Sequence, residues 1–217
     1  MLEFLMLEEK EFKFKCLKCG RCCQDKNTIV NLNYIDIYRM IKVLNLNLDE
    51  LLDIASFYVI KNDVRSNILE KMVISPIITE KGPAFLALRK NENGECIFHD
   101  PKNKKCRIYQ IRPDFCRTFP FTFVQTYKTT NQLDDNDIEV LHAKGGLLFC
   151  PGIKGKAPEI NIDRLKKLGM EVLQDLIINE RIIKRWNDAV KNEKIIPSAR
   201  GYLKYLLEIF RELEHQD

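Results

Sequence analysis

The hydrophobic pattern of the first quarter of the chain predicts an amphipathic helix after Asn33. Ile37, Met40, Ile41 and Leu44 recur at intervals of three and four residues, which places apolar side chains on one helical face. Asn33 suits the N-cap position, because its side chain can accept a hydrogen bond from a free backbone N–H of the first turn. A core-facing helix is therefore expected from about this position.

A second helix is predicted directly after the first. Asn47 precedes Glu50 by three residues, the spacing of a capping box. Apolar residues then form a helical stripe within residues 48–55. The two segments together predict an N-terminal helix pair.

The pattern changes to short β-type runs between residues 72 and 98. Strands are predicted at residues 72–74, 77–79, 84–88 and 95–98. Asn93-Gly94 is typical of a hairpin turn because both residues tolerate a positive φ, and residues 100–104 predict a second reversal. If both turns form, Cys96 and Cys106 lie on adjacent antiparallel segments.

The rest of the chain predicts irregular structure followed by helices. Residues 121–149 are rich in Thr and Asp and include a Gly pair, so mostly irregular structure is expected there. Residues 151–158 are dense in Gly and Pro and predict a linker. Apolar residues then recur at helical spacing over residues 165–190 and 203–213.

These elements predict an α+β fold. A small antiparallel sheet and loops are expected to surround a cysteine-cluster metal site, beside the N-terminal helix pair and a C-terminal helical segment. We predict a metal-binding domain over residues 1–153 and a helical extension over residues 154–217 that packs on it.

Composition narrows the function classes. The 217 residues are 45% hydrophobic, which is enough for a packed core and excludes general disorder. The net charge of +4 is too small to indicate a nucleic-acid or membrane binder. No apolar run approaches the roughly 18 residues of a membrane span, and the first residues lack the pattern of a secretory signal. We therefore expect a cytoplasmic protein with no membrane partner.

Cysteine is the residue type with the strongest pattern. Four of the eight form Cys16-x-x-Cys19-x-x-Cys22-Cys23. In a reducing compartment such a cluster indicates metal binding rather than disulfides. Two-residue gaps let successive sulfurs converge on one centre, as in zinc sites and iron–sulfur proteins.

The cysteines also suggest how ligands are divided. Adjacent side chains diverge, so we expect Cys16, Cys19 and Cys22 to share one centre while Cys23 joins distant thiols. The distant cysteines are Cys96, Cys106, Cys116 and Cys150. Eight thiols allow two Cys₄ sites, or one site with spare buried cysteines.

Four short segments around the cysteines have distinctive sequences. They read Cys16-x-x-Cys19-Gly20-x-Cys22-Cys23, Cys96-Ile97-Phe98, Cys106-Arg107-Ile108-Tyr109 and Arg112-Pro113-x-x-Cys116-Arg117-x-Phe119-Pro120-Phe121. Over roughly residues 12–152 the chain resembles the YkgJ-type cysteine-cluster family of zinc- or iron-chelating domains. The resemblance implies an intracellular metal or iron–sulfur protein, and most members lack an assigned reaction. A flagellin lysine N-methylase carries a related cysteine cluster, so an enzymatic function is an alternative.

Basic residues flank the cysteines in the sequence. They are Lys15, Lys18, Arg21, Arg107, Arg112 and Arg117. Thiolate sites are costly to bury without nearby cations and donors. We predict Arg112 and Arg117 as cofactor-binding residues, since Pro113 stiffens their segment and the family's sequence pattern includes both. His99 is a candidate zinc ligand, although a histidine in a surface turn is the commoner outcome.

Three functions follow from this pattern. The leading hypothesis is a [4Fe-4S] protein in electron transfer or redox sensing, with a protein redox or interaction partner. The second is a zinc module whose metal holds loops together and whose C-terminal helices bind a partner, since thiolates suit zinc and iron alike. The third is an enzyme resembling a protein lysine methyltransferase, although the chain has no recognisable cofactor loop and no identified catalytic residue.

Overall fold

The computed structural model describes residues 12–60, 74–126, 137–154 and 156–214. Helices and small antiparallel sheets are mixed along the chain, which confirms the predicted α+β class. The helices are α1 (Arg21–Gln24), α2 (Tyr34–Leu44), α3 (Leu48–Ile54), α4 (Asp114–Thr118), α5 (Lys144–Phe149), α6 (Ile162–Lys191) and α7 (Ala199–Glu214). The strands are β1 (Ala55–Val59), β2 (Ile77–Thr79), β3 (Gly82–Leu88), β4 (His99–Asp100), β5 (Lys105–Cys106), β6 (Phe121–Gln125) and β7 (Ile138–His142).

The predicted N-terminal helix pair is confirmed, and both helices begin with capping boxes. At α2, the Asp36 backbone N–H donates to Asn33 Oδ1 at 2.9 Å, and the Asn33 N–H donates to the Asp36 carboxylate at 3.1 Å. Asn47 and Glu50 make the same reciprocal pair at α3. These local hydrogen bonds satisfy N–H groups that a helix start leaves free, so the sequence alone could locate them.

A three-stranded antiparallel sheet in the order β1-β3-β2 packs against these helices. Strand β2 and residues 84–88 of β3 confirm two of the predicted strands. Ala55, predicted in the apolar stripe of α3, instead begins β1 and pairs with Leu88. This pairing lies more than thirty residues away along the chain, so helix periodicity could not reveal it.

The other two predicted strands did not form as expected. Of residues 72–74, only Ile74 lies within the described residues, and it is not in a strand. The predicted strand at residues 95–98 is wrong, since Cys96 forms only an isolated bridge with Lys90. The cause is a non-local bond, because the Cys96 N–H donates to the Cys23 carbonyl oxygen at 2.8 Å.

Both predicted reversals are confirmed. At the first, Gly94 has a φ of 78° and its N–H donates to the Asn91 carbonyl. At the second, β4 pairs antiparallel with β5, and His99 lies opposite Cys106. Cys96 and Cys106 are therefore carried on neighbouring segments, as the turn signals indicated.

The expectation of mostly irregular structure at residues 121–149 is wrong over the described part of this range. Strands β6 and β7 pair from Phe121 with His142 to Gln125 with Ile138, and α5 follows. Helix α6 packs on this hairpin. A Cβ on Gly169 would lie 2.6 Å from a Phe123 ring carbon, so only glycine permits the close approach. The hairpin is thus stabilised by a partner distant in the sequence.

The Gly- and Pro-rich stretch after Cys150 packs against the N-terminal segment. The Lys15 N–H donates to the Gly152 carbonyl at 3.0 Å, and the Phe14 N–H donates to the Pro158 carbonyl at 3.1 Å. Gly152 is buried. The division of the chain at residue 153 stays a prediction.

The predicted C-terminal helices are confirmed as α6 and α7. Trp186 of α6 donates from Nε1 to the Ile78 carbonyl at 2.9 Å, which fixes the helix to β2. Helix α7 buries Tyr202, Leu203, Leu206 and Phe210. None of the helices among the described residues has both the length and the apolar character to cross a bilayer.

Candidate metal centre

All eight cysteines line one cavity of about 90 Å³, named here the thiol cavity. Four come from the loop of residues 16–23, two from the segments around the β4–β5 hairpin, one from α4 and one from the end of α5. The fold therefore gathers thiols that lie up to 134 residues apart in the chain (Cys16 and Cys150). This convergence is what the cysteine pattern predicted.

The N-terminal cysteine loop turns tightly at Gly20. This residue has a φ of 73°, and Lys18, two residues earlier, has a φ of 50°. The Cys23 N–H donates to the Gly20 carbonyl at 2.9 Å, which starts the single turn of α1. A Cβ at Gly20 would lie 2.6 Å from His99 Nε2, so glycine serves both the backbone angle and the close approach.

Cys22 and Cys23 lie closer than adjacent residues were expected to lie. Their Sγ atoms are 3.9 Å apart, and both residues line the thiol cavity. The hydrogen bond from Cys23, with a smaller contribution from the charge of Arg112, lowers the pKa of the Cys22 thiol to about 7. The same bond and burial raise the pKa of Cys23. Cys22 is therefore the thiol of this pair that ionises first.

Burial dominates the behaviour of the distant thiols. It is the main cause that raises the pKa values of Cys96, Cys106, Cys116 and Cys150. The negative charge of Cys22 contributes to the rise at each of the four. These raised pKa values favour the protonated thiols. A metal cation in the cavity would favour the thiolates instead, because a coordinating thiol is deprotonated.

Arg112 is the cation placed most directly at the thiols. It lines the cavity, and its charge lowers the pKa values of Cys22 and Cys106. Its Cζ lies 3.8 Å from the centre of the Tyr109 ring, which holds the guanidinium in place. Its Nε is buried and has no hydrogen-bond partner within the described part of the chain. A buried donor of this kind suits an anionic acceptor in the cavity.

Arg117 points to a different group of residues. It pairs with Asp114 at 2.9 Å and with Glu171 at 3.6 Å, and it is not among the residues that line the thiol cavity. Lys15 and Arg107 also lie outside the lining, whereas Lys18 and Arg21 belong to it. A cofactor-binding role for Arg117 stays a prediction without a contact to support it.

His99 is buried, so the expectation of a surface turn is wrong. Its side chain is fully excluded from solvent, and Nδ1 lies 3.4 Å from the Glu95 carboxylate. The opposite nitrogen, Nε2, is buried without a partner in the described ranges and faces Gly20. A carboxylate on one ring nitrogen is the arrangement that orients many metal-binding histidines. The short β4–β5 pairing carries this side chain inward, and local sequence gave no sign of it.

Apolar side chains complete the wall of the cavity. They include Phe14, Leu88, Phe98, Ile108, Phe119 and Phe149. Phe119 and Phe149 stack with ring centres 5.6 Å apart. Phe119 lies three residues after Cys116 in the sequence, whereas Phe14 and Phe149 reach the wall only through the tertiary fold.

The thiols line one cavity, but their positions do not yet match the coordination geometry of a bound metal ion. Over residues 12–60, 74–126, 137–154 and 156–214, no three Cys, His, Asp or Glu side chains are already arranged around a single metal position. The cavity still supplies soft sulfur donors, a buried cationic donor and a dry wall, which fit a thiolate-bound metal group. Which cysteines ligate stays a prediction.

Comparison with known proteins settles the family. The CxxCxxCC model, described as "Putative zinc- or iron-chelating domain", matches residues 15–136, more than half of the chain. The chain belongs to the CxxCxxCC family. Membership supports binding of zinc or iron and confirms the resemblance found in the sequence.

One relative with a curated sequence is "Uncharacterized protein MJ0661" of Methanocaldococcus jannaschii. It is 30% identical over 109 residues, which cover 50% of this chain and 45% of the relative. The chain therefore spans about half the length of this relative. No solved structure matches this CxxCxxCC family chain.

Proposed function

We propose that the thiol cavity holds a [4Fe-4S] cluster and that the protein uses it in one-electron transfer or redox sensing. The observation that carries the proposal is the convergence of all eight cysteines on one cavity. Thiolates are the usual protein ligands of such clusters. The metal-chelating family supports the coarser part of the proposal.

The size of the cavity favours a group of several atoms. Its volume is about 90 Å³, whereas one water-sized occupant needs only about 10–15 Å³ by the same kind of measure. A single zinc ion would leave most of this space unfilled. An iron–sulfur cube, with its eight inorganic atoms, uses the space better.

The charges at the cavity favour a bound anion. The charged residues in the described lining are Lys18, Arg21, Lys104 and Arg112, all of them basic. A [4Fe-4S] cluster with four thiolates carries a net charge of about −2 in its oxidised resting state. These cations offset that charge, and the free Arg112 Nε can donate a hydrogen bond to a cluster or cysteine sulfur.

We assign the cluster to Cys16, Cys19, Cys22 and Cys150. The first three share the two-residue spacing of iron–sulfur loops. We choose Cys150 as the fourth ligand because it lines the same cavity and precedes Pro151, as the remote fourth cysteine precedes proline in bacterial ferredoxins. The other thiols, those of Cys23, Cys96, Cys106 and Cys116, line the same cavity. They form a second set of sulfur donors.

A structural zinc site is the second candidate. It is favoured by His99, whose Nδ1 faces Glu95 while its buried Nε2 lacks a partner within the described ranges. This carboxylate–histidine pair is common beside zinc. In that case the metal would hold the cysteine loop to the β4–β5 hairpin.

Purification without oxygen tests the proposal. The protein should be brown, with visible charge-transfer absorption and equal amounts of iron and acid-labile sulfide. Cys19→Ser should lose most of that absorption, whereas Ser56→Ala, a change in β1, should keep it. A colourless protein with stoichiometric zinc and no sulfide would reject the cluster and support the zinc site.

A further inference from the structure

The entrance of the thiol cavity carries charge of one sign. Lys18, Arg21, Lys104 and Arg112, together named the basic rim, are the charged members of the described cavity lining. The first three are exposed and Arg112 is half-buried. The basic rim therefore extends from the exposed surface to the wall of the thiol cavity.

The rim is held in place by the local backbone and by an aromatic ring. Lys18 and Lys104 both occupy the left-handed region, with φ values of 50° and 51°. Lys18 Nζ lies 4.9 Å from the centre of the Tyr109 ring, which Arg112 also contacts. Positions that L residues seldom adopt are found at functional sites more often than elsewhere.

The exposed rim lysines and Arg21 are available to an outside partner. No ion pair within the described ranges involves Lys18, Arg21 or Lys104. By contrast, surface cations elsewhere do pair, as Lys184 does with Asp188 at 2.5 Å. Acidic side chains of the described residues therefore do not neutralise these three rim charges.

Neighbouring residues extend the positive surface. The turn between β4 and β5 and its flanks add exposed Lys102, Lys105 and Arg107. The one acidic residue at this turn, Asp100, accepts hydrogen bonds from Asn103 and from the Lys102 backbone. Leu17, which also lines the entrance, is 56% exposed. The surface thus combines an apolar side chain with surrounding cations.

We propose that the basic rim docks an acidic protein that exchanges one electron with the group in the thiol cavity, an inference that rests on the proposed function. In each exchange the reduced cluster loses one electron and the partner's one-electron carrier gains it. No bond forms and no proton moves. The four rim charges exceed the cluster charge, which is about −2 in the oxidised state and about −3 in the reduced state, so attraction to an acidic surface persists in both states.

A protein fits this surface better than a nucleic acid. The whole chain has a net charge of only +4, which is too low to hold a long polyanion over an extended contact. An exposed leucine within a charged margin resembles the apolar centre and polar rim of a protein interface. Electrostatic complementarity would then set the approach of the partner.

The test uses one haem protein in two charge states. Native cytochrome c is basic, and succinylation of its lysines makes it acidic while its one-electron haem remains. Binding to the protein would be measured by biolayer interferometry, and ferric haem reduction by stopped flow after the cluster has been reduced. At low salt the succinylated form should bind and react at least about tenfold better, and 0.5 M salt should remove most of the advantage.

Charge-reversal variants test whether the basic rim causes the preference for the succinylated form. Lys18→Glu with Lys104→Glu should abolish the preference for the succinylated form. Lys167→Glu with Lys204→Glu, the same change in charge at exposed positions of α6 and α7, should keep it. Cluster absorbance is recorded for both pairs, and the rate of haem reduction is expressed per bound cluster.

Three results would overturn the inference: equal binding of both forms, an equal loss in the two variant pairs, or tighter binding of a single-stranded oligonucleotide. The binding arm needs no cluster, so it separates failure of the rim from failure of the proposed function. A protein without a reducible cluster would reject the electron exchange itself, whatever the binding result.

Discussion

Two clusters of polar side chains lie on the two sides of α4. In one cluster the side chains satisfy one another's hydrogen bonds, whereas the other leaves a buried donor without a partner among the described residues. On one side, Asp114 Oδ1 accepts hydrogen bonds from Arg39 at 2.6 Å and Arg117 at 2.9 Å. Asp114 Oδ2 accepts one from Asn33 at 3.1 Å, and the Asp114 N–H donates to Asp36 at 2.9 Å. We name Asn33, Asp36, Arg39, Asp114 and Arg117 the carboxylate network.

On the other side, Cys116 faces the thiol cavity. There burial and the charges of neighbouring thiols raise the pKa of Cys116, and Arg112 Nε is buried without a partner in the described structure. Buried polar groups are normally satisfied, so the contrast identifies the carboxylate network as part of the fold and the cavity as a site for a ligand. Substitutions in the two clusters should therefore differ in their effect on bound metal.

Removal of a central thiol should have the largest effect. Cys22→Ser should lose bound metal and lower the free energy of unfolding by up to about 10 kcal/mol, since metal binding to a structural site is also folding free energy. Elemental analysis and denaturant unfolding measure both. The control is metal-depleted wild-type protein, whose stability the substitution should hardly change. Full metal occupancy in the variant would contradict the site.

A substitution in the carboxylate network should lower the free energy of unfolding without changing the amount of bound metal. Arg39→Met leaves buried Asp114 and Asp36 without one of their cations, which should lower the free energy of unfolding by about 3 kcal/mol. Metal content should stay at the wild-type level. Arg200→Met, which removes an exposed pair with Asp49, is the matched control and should change little. Metal loss in Arg39→Met would show that the two sides are coupled.

The carboxylate network should also make stability depend on pH. Burial, with the charge of Asp114 second, raises the pKa of Asp36 to about 7. Between about pH 4 and pH 7 the folded chain therefore holds a proton that the unfolded chain has lost, so stability from this group decreases as pH rises through that window. Asp36→Asn should remove a decrease on the order of 2 kcal/mol between pH 5 and pH 8. Urea unfolding at both pH values, compared with wild type, measures it, and an unchanged slope would contradict the assignment.

The smallest change in the free energy of unfolding is expected at Gly20, in the turn of the N-terminal cysteine loop. Gly20→Ala combines an unfavourable φ of 73° with a Cβ 2.6 Å from His99 Nε2. A double-mutant cycle with His99→Ala separates these two causes. The second substitution should recover about 1 kcal/mol of the loss caused by the first, leaving the backbone cost. Strict additivity would mean that the ring and the turn do not interact.

Local patterns in the sequence predicted the features that depend on neighbouring residues. The caps at Asn33 and Asn47 need only side chains three positions away, and both formed. The cysteine spacing likewise predicted a common site, because two-residue gaps constrain the loop itself. The turn at Gly94 followed from its tolerance of positive φ.

Features that depend on distant contacts could not be predicted in this way. The pairing of β6 with β7, the burial of His99 and the bond from Cys96 to Cys23 all involve partners outside the local pattern. Arg112 and Arg117 looked alike in the sequence, yet only Arg112 reaches the cavity. Their difference arises because α4 separates the two clusters, which only tertiary structure reveals.

Electron paramagnetic resonance of the dithionite-reduced protein, purified without oxygen, tests the central claim most directly. A [4Fe-4S] cluster in the thiol cavity predicts a spectrum of a reduced cluster that integrates to about one spin per chain. The signal should disappear in Cys22→Ser and persist in Arg39→Met. A protein that contains stoichiometric zinc and gives no signal would contradict the claim.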